Sequence, residues 1–424
     1  MSAVCQYFQV HQPRRLKRYT FYDIGTDSEY FNDDGDRDTN NAKITRKVAD
    51  KCYLPANEAM LANLKEFPEF KIAYSISGIA LEQFEEYTPE VVESFKRLVD
   101  TGRVEILGET YYHSLAFLES PKEFREQIRM HADKVRALFG VRPSVFRNTE
   151  LIFRNDIAEE IANLGYLGML AEGADHLLEW RKPTFVYHAK GDESFKLLLK
   201  HYKLSDDIAF RFSNKDWEEW PLTAPKFAQW VNAHNGDGHV INLFMDYETF
   251  GEHQWEDTGI FHFLRAMPRE ILRHADNKFV TPREALEQYP SVGEIDAPQY
   301  VSWADIERDL SAWKSNPIQH DALRAFFALE DDVKRSGNED LLRDWRRLST
   351  SDHFYYMCTK WFHDGDVHRY FSPYDSPYEA FIAYMNALND VRARVQSAPT
   401  EKHRRSFWQT LSRKSHAVLE ALRS

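Results

Sequence analysis

The sequence predicts an α/β protein built on parallel strands and followed by a helical C-terminal region. Three observations lead there. Short apolar runs recur through the first two-thirds of the 424 residues and alternate with stretches of helical periodicity. Most of these runs end in a polar or acidic residue. Beyond about residue 290 only the helical pattern continues.

The apolar runs come in order. Residues 4–10 end at His11, 70–76 near Ser77, 103–107 at Glu109, and 144–147 at Asn148 and Glu150. Residues 166–170 end at Glu172, 195–199 at His201, and 240–245 at Asp246. Between them, 89–99, 121–138, 155–164 and 225–233 repeat their apolar positions at helical spacing. Strands that alternate with helices run parallel and are joined by crossovers. Seven such strands can close into a barrel or fan into a doubly wound sheet. In either case the residues after each strand gather at one end. His11, Glu109, Glu150, Glu172, His201 and Asp246 are therefore expected at one mouth. Segment 171–194 is too irregular for a simple crossover helix and has room for a small hairpin. The expected division is 1–293 and 294–424. In the second part 302–313, 321–336, 338–348, 377–398 and 403–422 read as helices, with no strand pattern.

Composition narrows the function. The chain is 43% hydrophobic, enough for a large core. Its formal net charge of −13 argues against nucleic acid or an anionic membrane as partner. Aromatics reach 14%, which suits stacking on sugars and large cores alike. Cys5, Cys52 and Cys358 are odd in number and widely spaced, against disulfide stapling or a cysteine zinc site. The N-terminus lacks a basic segment followed by an apolar one, and no apolar run approaches about 18 residues, so a cytoplasmic protein is expected.

Five stretches carry chemistry: HQP at 11–13, VEILGETYYHSL at 104–115, FRNTELIF at 146–153, FMDYETFGEHQW at 244–255 and WADIERDLSAW at 303–313. In the last, Asp305, Asp309 and Trp313 follow at four-residue steps, which on a helix shares one face. Each stretch alone is modest. Together, and in this order, they resemble glycoside hydrolase family 57, its α-amylase branch, over residues 1 to about 315.

The resemblance implies an incomplete seven-stranded (β/α)7 parallel barrel followed by a C-terminal helical bundle whose first helix reaches the cleft. It implies a retaining hydrolase of α-1,4-glucans such as starch, glycogen or maltooligosaccharides. Glu150 would be the nucleophile and Asp246 the general acid/base, with no cofactor and no metal. Substrate contacts are expected from His11, Gln12, Glu109, His113, Arg147, Glu248, His253, Trp303, Asp305 and Asp309. A 4-α-glucanotransferase or branching enzyme would share the same catalytic pair. A metal-dependent sugar deacetylase or α-mannosidase needs paired Asp/His ligands, and no HxxxH lies near a strand end. A non-catalytic glycan binder would not need both carboxylates. Neither a nucleic-acid nor a membrane partner is expected, and the sequence does not report an oligomeric state.

The chemistry asks for opposed carboxyl groups. Glycosidic bonds break through an oxocarbenium-like state in which one carboxylate is ionised and the other group still holds a proton. Glu109 and Glu248 are candidates for raising Asp246, and Arg147 or His11 for keeping Glu150 ionised. Plainer roles compete. Asp246 could cap a helix, His11 could be a core histidine, and Glu248 and Glu252 could be merely solvated. Of Trp303 and Trp313, one is expected to face the cleft. The acidic segment 23–40 fails the EF-hand spacing, because Gly35 at the turn position puts Tyr30 at position 1 and Asn41 at position 12. It reads as a solvated loop or an acidic flap over the mouth. The basic stretch 401–414 reads as a solvated helix face.

Overall fold

Strand β1 (Ala3–Val10) is buried along its whole length, as a parallel strand covered on both faces must be. Its side chains alternate. Cys5 and Tyr7 join Leu107, Leu170, Leu198 and Phe244 in an inner cluster, while Val4, Phe8 and Val10 pack among the surrounding helices. The computed structural model describes residues 3–31, 38–360 and 367–397. It adds β2 (Ile72–Ile76), β3 (Val104–Ile106), β4 (Val145–Arg147), β5 (Gly168–Glu172), β6 (Val186–Ala189), β7 (Asp192–Lys200), β8 (Val240–Asp246), β9 (Lys278–Phe279) and β10 (Glu294–Ile295).

One sheet runs β3-β2-β1-β8 with β9 on β1, and the other β10-β6-β7-β5-β4. They meet where Gly108 N donates to Val145 O at 2.9 Å and Arg147 N to Gly108 O at 2.8 Å. A Cβ on Gly108 would come within 2.6 Å of the Tyr166 hydroxyl, so a side chain at the seam would displace Tyr166. On the far side β7 and β8 are tied only locally, by His201 N to Asn242 O at 2.8 Å and the Asn242 amide to Leu199 O at 2.9 Å. The result is a parallel ring of β1, β2, β3, β4, β5, β7 and β8 whose ladder does not close, in agreement with the expected incomplete barrel.

Helices form where the sequence places caps. Ser120 caps Pro121–Phe139, Thr223 caps Ala224–Asn232, and Thr281 with Glu284 makes a capping box on Pro282–Gln288. The expected hairpin is present, β6 and β7 pairing antiparallel.

Beyond the ring, the helices Pro317–Phe327, Glu330–Ser336, Glu339–Arg347, Ser351–Tyr355 and Pro377–Ser397 pack through Phe326, Trp345 and Leu388 into the same core as Phe146 and Leu197. Four readings need correction. Segment 321–336 breaks at Ala328–Leu329 into two helices. Segment 302–313 is not a helix but a series of turns, with Asp305 at φ 54° and Arg308 at φ 52°. A strand, β10, does lie past residue 290, paired with β6. Ser351–Tyr355 was not foreseen. Residues 32–37 of the acidic segment, 401–414 and 403–422 lie outside the described residues. No helix among the described residues is long and apolar enough to cross a membrane.

Candidate active site

The parallel register lines up the strand ends. Val10 stands beside Ile76, Gln9 beside Asp246, Tyr74 beside Ile106 and Glu172 beside Lys200. The residues that follow therefore converge at one rim, as the sequence implied.

Glu150 sits in a tight turn after β4 at φ 57°, and Leu151 follows at φ 52°. Positive φ in bulky residues is strained and persists only where the surroundings impose it. Here the surroundings are specific. His113 Nε2 lies 3.1 Å from Glu150 Oε1, and Trp303 Nε1 donates to Glu150 Oε2 at 2.7 Å. Burial pushes the Glu150 carboxyl up, but the hydrogen bond and charge of His113, and then Arg147, outweigh it and hold Glu150 below the usual carboxylate range.

His113 is itself held. Its Nδ1 lies 3.1 Å from Glu109 Oε2, and the ring is 1% exposed. Burial opposes its charge, yet the bonds to Glu109 and Glu150 raise it to about 9. It is an imidazolium donating from both nitrogens. This leaves neither nitrogen for the sugar contact assigned to it. Glu109 is fully buried and ionised by the same partner, burial notwithstanding.

His11 stacks on His113 with centroids 4.0 Å apart. Burial, then the neighbouring His113 charge, lower it, so it stays neutral despite Asp352. A neutral ring satisfies both of its contacts, Ser77 Oγ at 2.7 Å and Asp352 Oδ2 at 2.9 Å. Burial works against ionisation of Asp352, but the hydrogen bond with the His11 ring and the nearby His113 charge hold it below its ordinary range.

Asp246 ends β8. Its side chain does not cap the turn that follows, which removes the capping role. Burial and then the Glu150 charge raise it to about 6, against the lowering effect of Arg147, Lys200 and His113. Glu150, not Glu109 or Glu248, is thus the main neighbouring charge acting on it. Glu248 accepts from Tyr53 Oη and, at 3.2 Å, from His11 N; burial and Asp246 push it to about 8. Arg147 is fully buried, and among the described residues none accepts a hydrogen bond from its guanidinium, which lies 4.8 Å over the Trp303 ring.

The remaining expected contacts scatter. Gln12 and His253 line a side cleft of about 550 Å³ with Glu248 and Phe371. Gly251, at φ 111°, bends the FGEH loop where a Cβ would strike Lys51 O at 1.9 Å. That bend turns Glu252 outward to Lys47 and Lys51. Asp305 is committed to His368 at 3.0 Å and Lys360 at 3.3 Å, and Asp309 accepts from Ser311 N at 2.7 Å. The shared helical face assigned to Asp305, Asp309 and Trp313 does not exist, because the helix does not. Trp313 is core; Trp303 meets Glu150.

Sequence reading missed Asp352 and Lys200. Asp352 sits in a five-residue helix, too short to show periodicity; the run Thr350-Ser351-Asp352 was its only start signal. Lys200 lost its place to His201, because β7 runs one residue past its apolar run. His201 turns outward, caps Tyr202–Ala209 and meets His234 at 5.0 Å.

One prediction follows from His113. Its folded pKa stands above the ordinary value of about 6.5, so the stability it contributes is complete below about pH 6.5 and is lost as pH rises through about 9. The melting-temperature gap between wild type and His113→Gln is expected to narrow across that window. A pH-independent gap would mean that His113 does not carry the charge.

With this geometry the likeness to known proteins is informative. The model of glycosyl hydrolase family 57 matches residues 6–298. The chain is 41% identical over 394 residues to a Methanocaldococcus jannaschii protein provisionally named an alpha-amylase, covering 90% of this chain and 82% of that one. An alpha-amylase of Thermotoga maritima superposes with a TM-score of 0.62 at 12% identity, covering 96% of each chain. A GH57 branching enzyme of Thermococcus kodakaraensis gives 0.63 at 14%, covering 84% of this chain and 86% of that one. At such identities the two structures speak for the fold alone. The family match over most of the length and the similarity to the Methanocaldococcus protein decide the assignment: the chain belongs to glycosyl hydrolase family 57.

Proposed function

We propose that this chain is a retaining α-amylase-type hydrolase of α-1,4-glucans, with Glu150 as nucleophile and Asp246 as general acid/base. One observation carries the reading: two carboxyl groups at one rim have opposed protonation preferences. Glu150 takes two hydrogen bonds and stays ionised, while Asp246 is raised to about 6. In the first step the Glu150 carboxylate attacks C1 as Asp246 gives its proton to the leaving oxygen. In the second, Asp246 takes a proton from water, the water oxygen attacks C1, and Glu150 leaves. His113 and Trp303 hold the attacking carboxylate in line. The α-amylase name of the Methanocaldococcus relative favours hydrolysis.

The test is incubation with soluble starch and maltoheptaose, with products resolved by size. Only shorter chains are expected. Products longer than maltoheptaose would make the chain a transglycosylase, and binding without turnover would remove the enzymatic reading.

A further inference from the structure

Lys200 closes β7 and is buried, 5% exposed. Its Nζ lies 3.0 Å from Asp206 Oδ1 and 3.6 Å from Glu172 Oε2. Arg308, in the turn after Trp303, reaches the same two acids, 2.9 Å from Glu172 Oε1 and 3.9 Å from Asp206 Oδ2. Its guanidinium also lies 4.0 Å over the Tyr202 ring. Two cations against two anions balance, which is what makes a buried ammonium tolerable. The cage aims Lys200 at a particular place. Its Nζ is 5.3 Å from the Trp303 ring, on which Arg147 also rests at 4.8 Å. The indole thus contacts two cations while its N–H binds Glu150. Backbone bonds alone do not fix that ring: Trp303 N donates to Glu150 O at 3.3 Å, and beyond it the chain turns through Asp305 and Arg308 at positive φ.

We propose that Lys200 is a positioning residue of the reaction: caged by Glu172, Asp206 and Arg308, its ammonium packs Trp303 against Glu150 and places a positive charge at the end of β7, the strand next to the one that Asp246 ends. This rests on the roles given above to Glu150 and Asp246. The charged groups that act on Asp246 are Glu150, Arg147, Lys200 and His113, while Glu248, in the turn that follows, is itself raised to about 8 by burial and Asp246. Of these, neither Lys200 nor Arg147 touches either carboxyl group by a hydrogen bond. The Lys200 charge favours ionised Asp246, so deleting it should raise the Asp246 pKa. Neutralising one of its anions leaves the ammonium less compensated and should lower it.

Lys200→Met and Asp206→Asn test this in opposite directions. The Asn oxygen still accepts from Lys200, so the cage keeps its shape and loses only charge. In pH–rate profiles the alkaline limb reports the acid, expected near pH 6 in wild type. In Lys200→Met it should move up by about half a unit or more. Its kcat should also fall about tenfold, with KM changing less than about threefold. In Asp206→Asn the limb should move down. Limbs that stay put, or move together, overturn the proposal. If Lys200→Met is too unstable to assay, Asp206→Asn decides alone: a downward shift supports the proposal, and no shift or an upward one overturns it. A wild-type chain that turns over no α-glucan would sink the functional reading separately. The same shifts can then be read without turnover, by ¹³C NMR titration of Asp246 in aspartate-labelled protein with Asp246→Asn as the assignment control.

Discussion

Glu150→Gln is expected to lower kcat by more than about a thousandfold while the protein keeps its fold. Gln has nearly the shape of Glu but cannot attack C1. The fold should hold because the turn is imposed from outside. Trp303 N still donates to the backbone oxygen of residue 150, and the antiparallel bridge between Phe153 and Val301 lies just beyond. The side chain makes two contacts, to His113 and Trp303. One amide oxygen can keep the Trp303 bond, and the amide N–H can face a His113 that has become neutral. His113 keeps Glu109 in either state. Circular dichroism should therefore match wild type. Activity within about tenfold of wild type would take Glu150 out of the mechanism.

Asp246→Asn should separate substrates by their leaving groups. Starch leaves as a poor alkoxide and needs the proton that Asp246 is raised to hold. An activated aryl α-glycoside leaves with little help. The expected loss is of the order of a hundredfold to ten-thousandfold on starch, the usual scale of general acid catalysis, and far smaller for the first step on the aryl substrate. Asn matches the protonated, neutral Asp246 in charge, so Glu150 feels no added repulsion and the first step is not penalised from that side. Equal losses on both substrates would make Asp246 a structural or binding residue.

The strands were legible because parallel strands buried on both faces read as unbroken apolar runs, β1 and β8 most plainly. The acids after them were legible because register turns strand ends into a rim. What the sequence hid was tertiary. WADIERDLSAW has helical composition and four-residue spacing, but Trp303 is bonded back to Glu150, Arg308 is drawn to Glu172, and Asp305 to His368 and Lys360. Those contacts override propensity. Asp352 reaches His11 across 341 residues, a distance no local pattern spans. The seam at Gly108 depends on the fit of Tyr166. Periodicity suggested neither, and it left open whether the strands formed a ring at all.

The central claim is double displacement through Glu150, and the anomeric form of the first product tests it most directly. Retaining enzymes hold their two carboxyl groups about 5–5.5 Å apart, inverting ones about 6.5–9.5 Å. ¹H NMR during the first minutes of maltooligosaccharide hydrolysis reads the outcome before mutarotation blurs it. The α anomer is expected first, released from a β-linked glycosyl–Glu150 intermediate. A β anomer appearing first would mean a single inverting attack by water, and would contradict a nucleophilic Glu150.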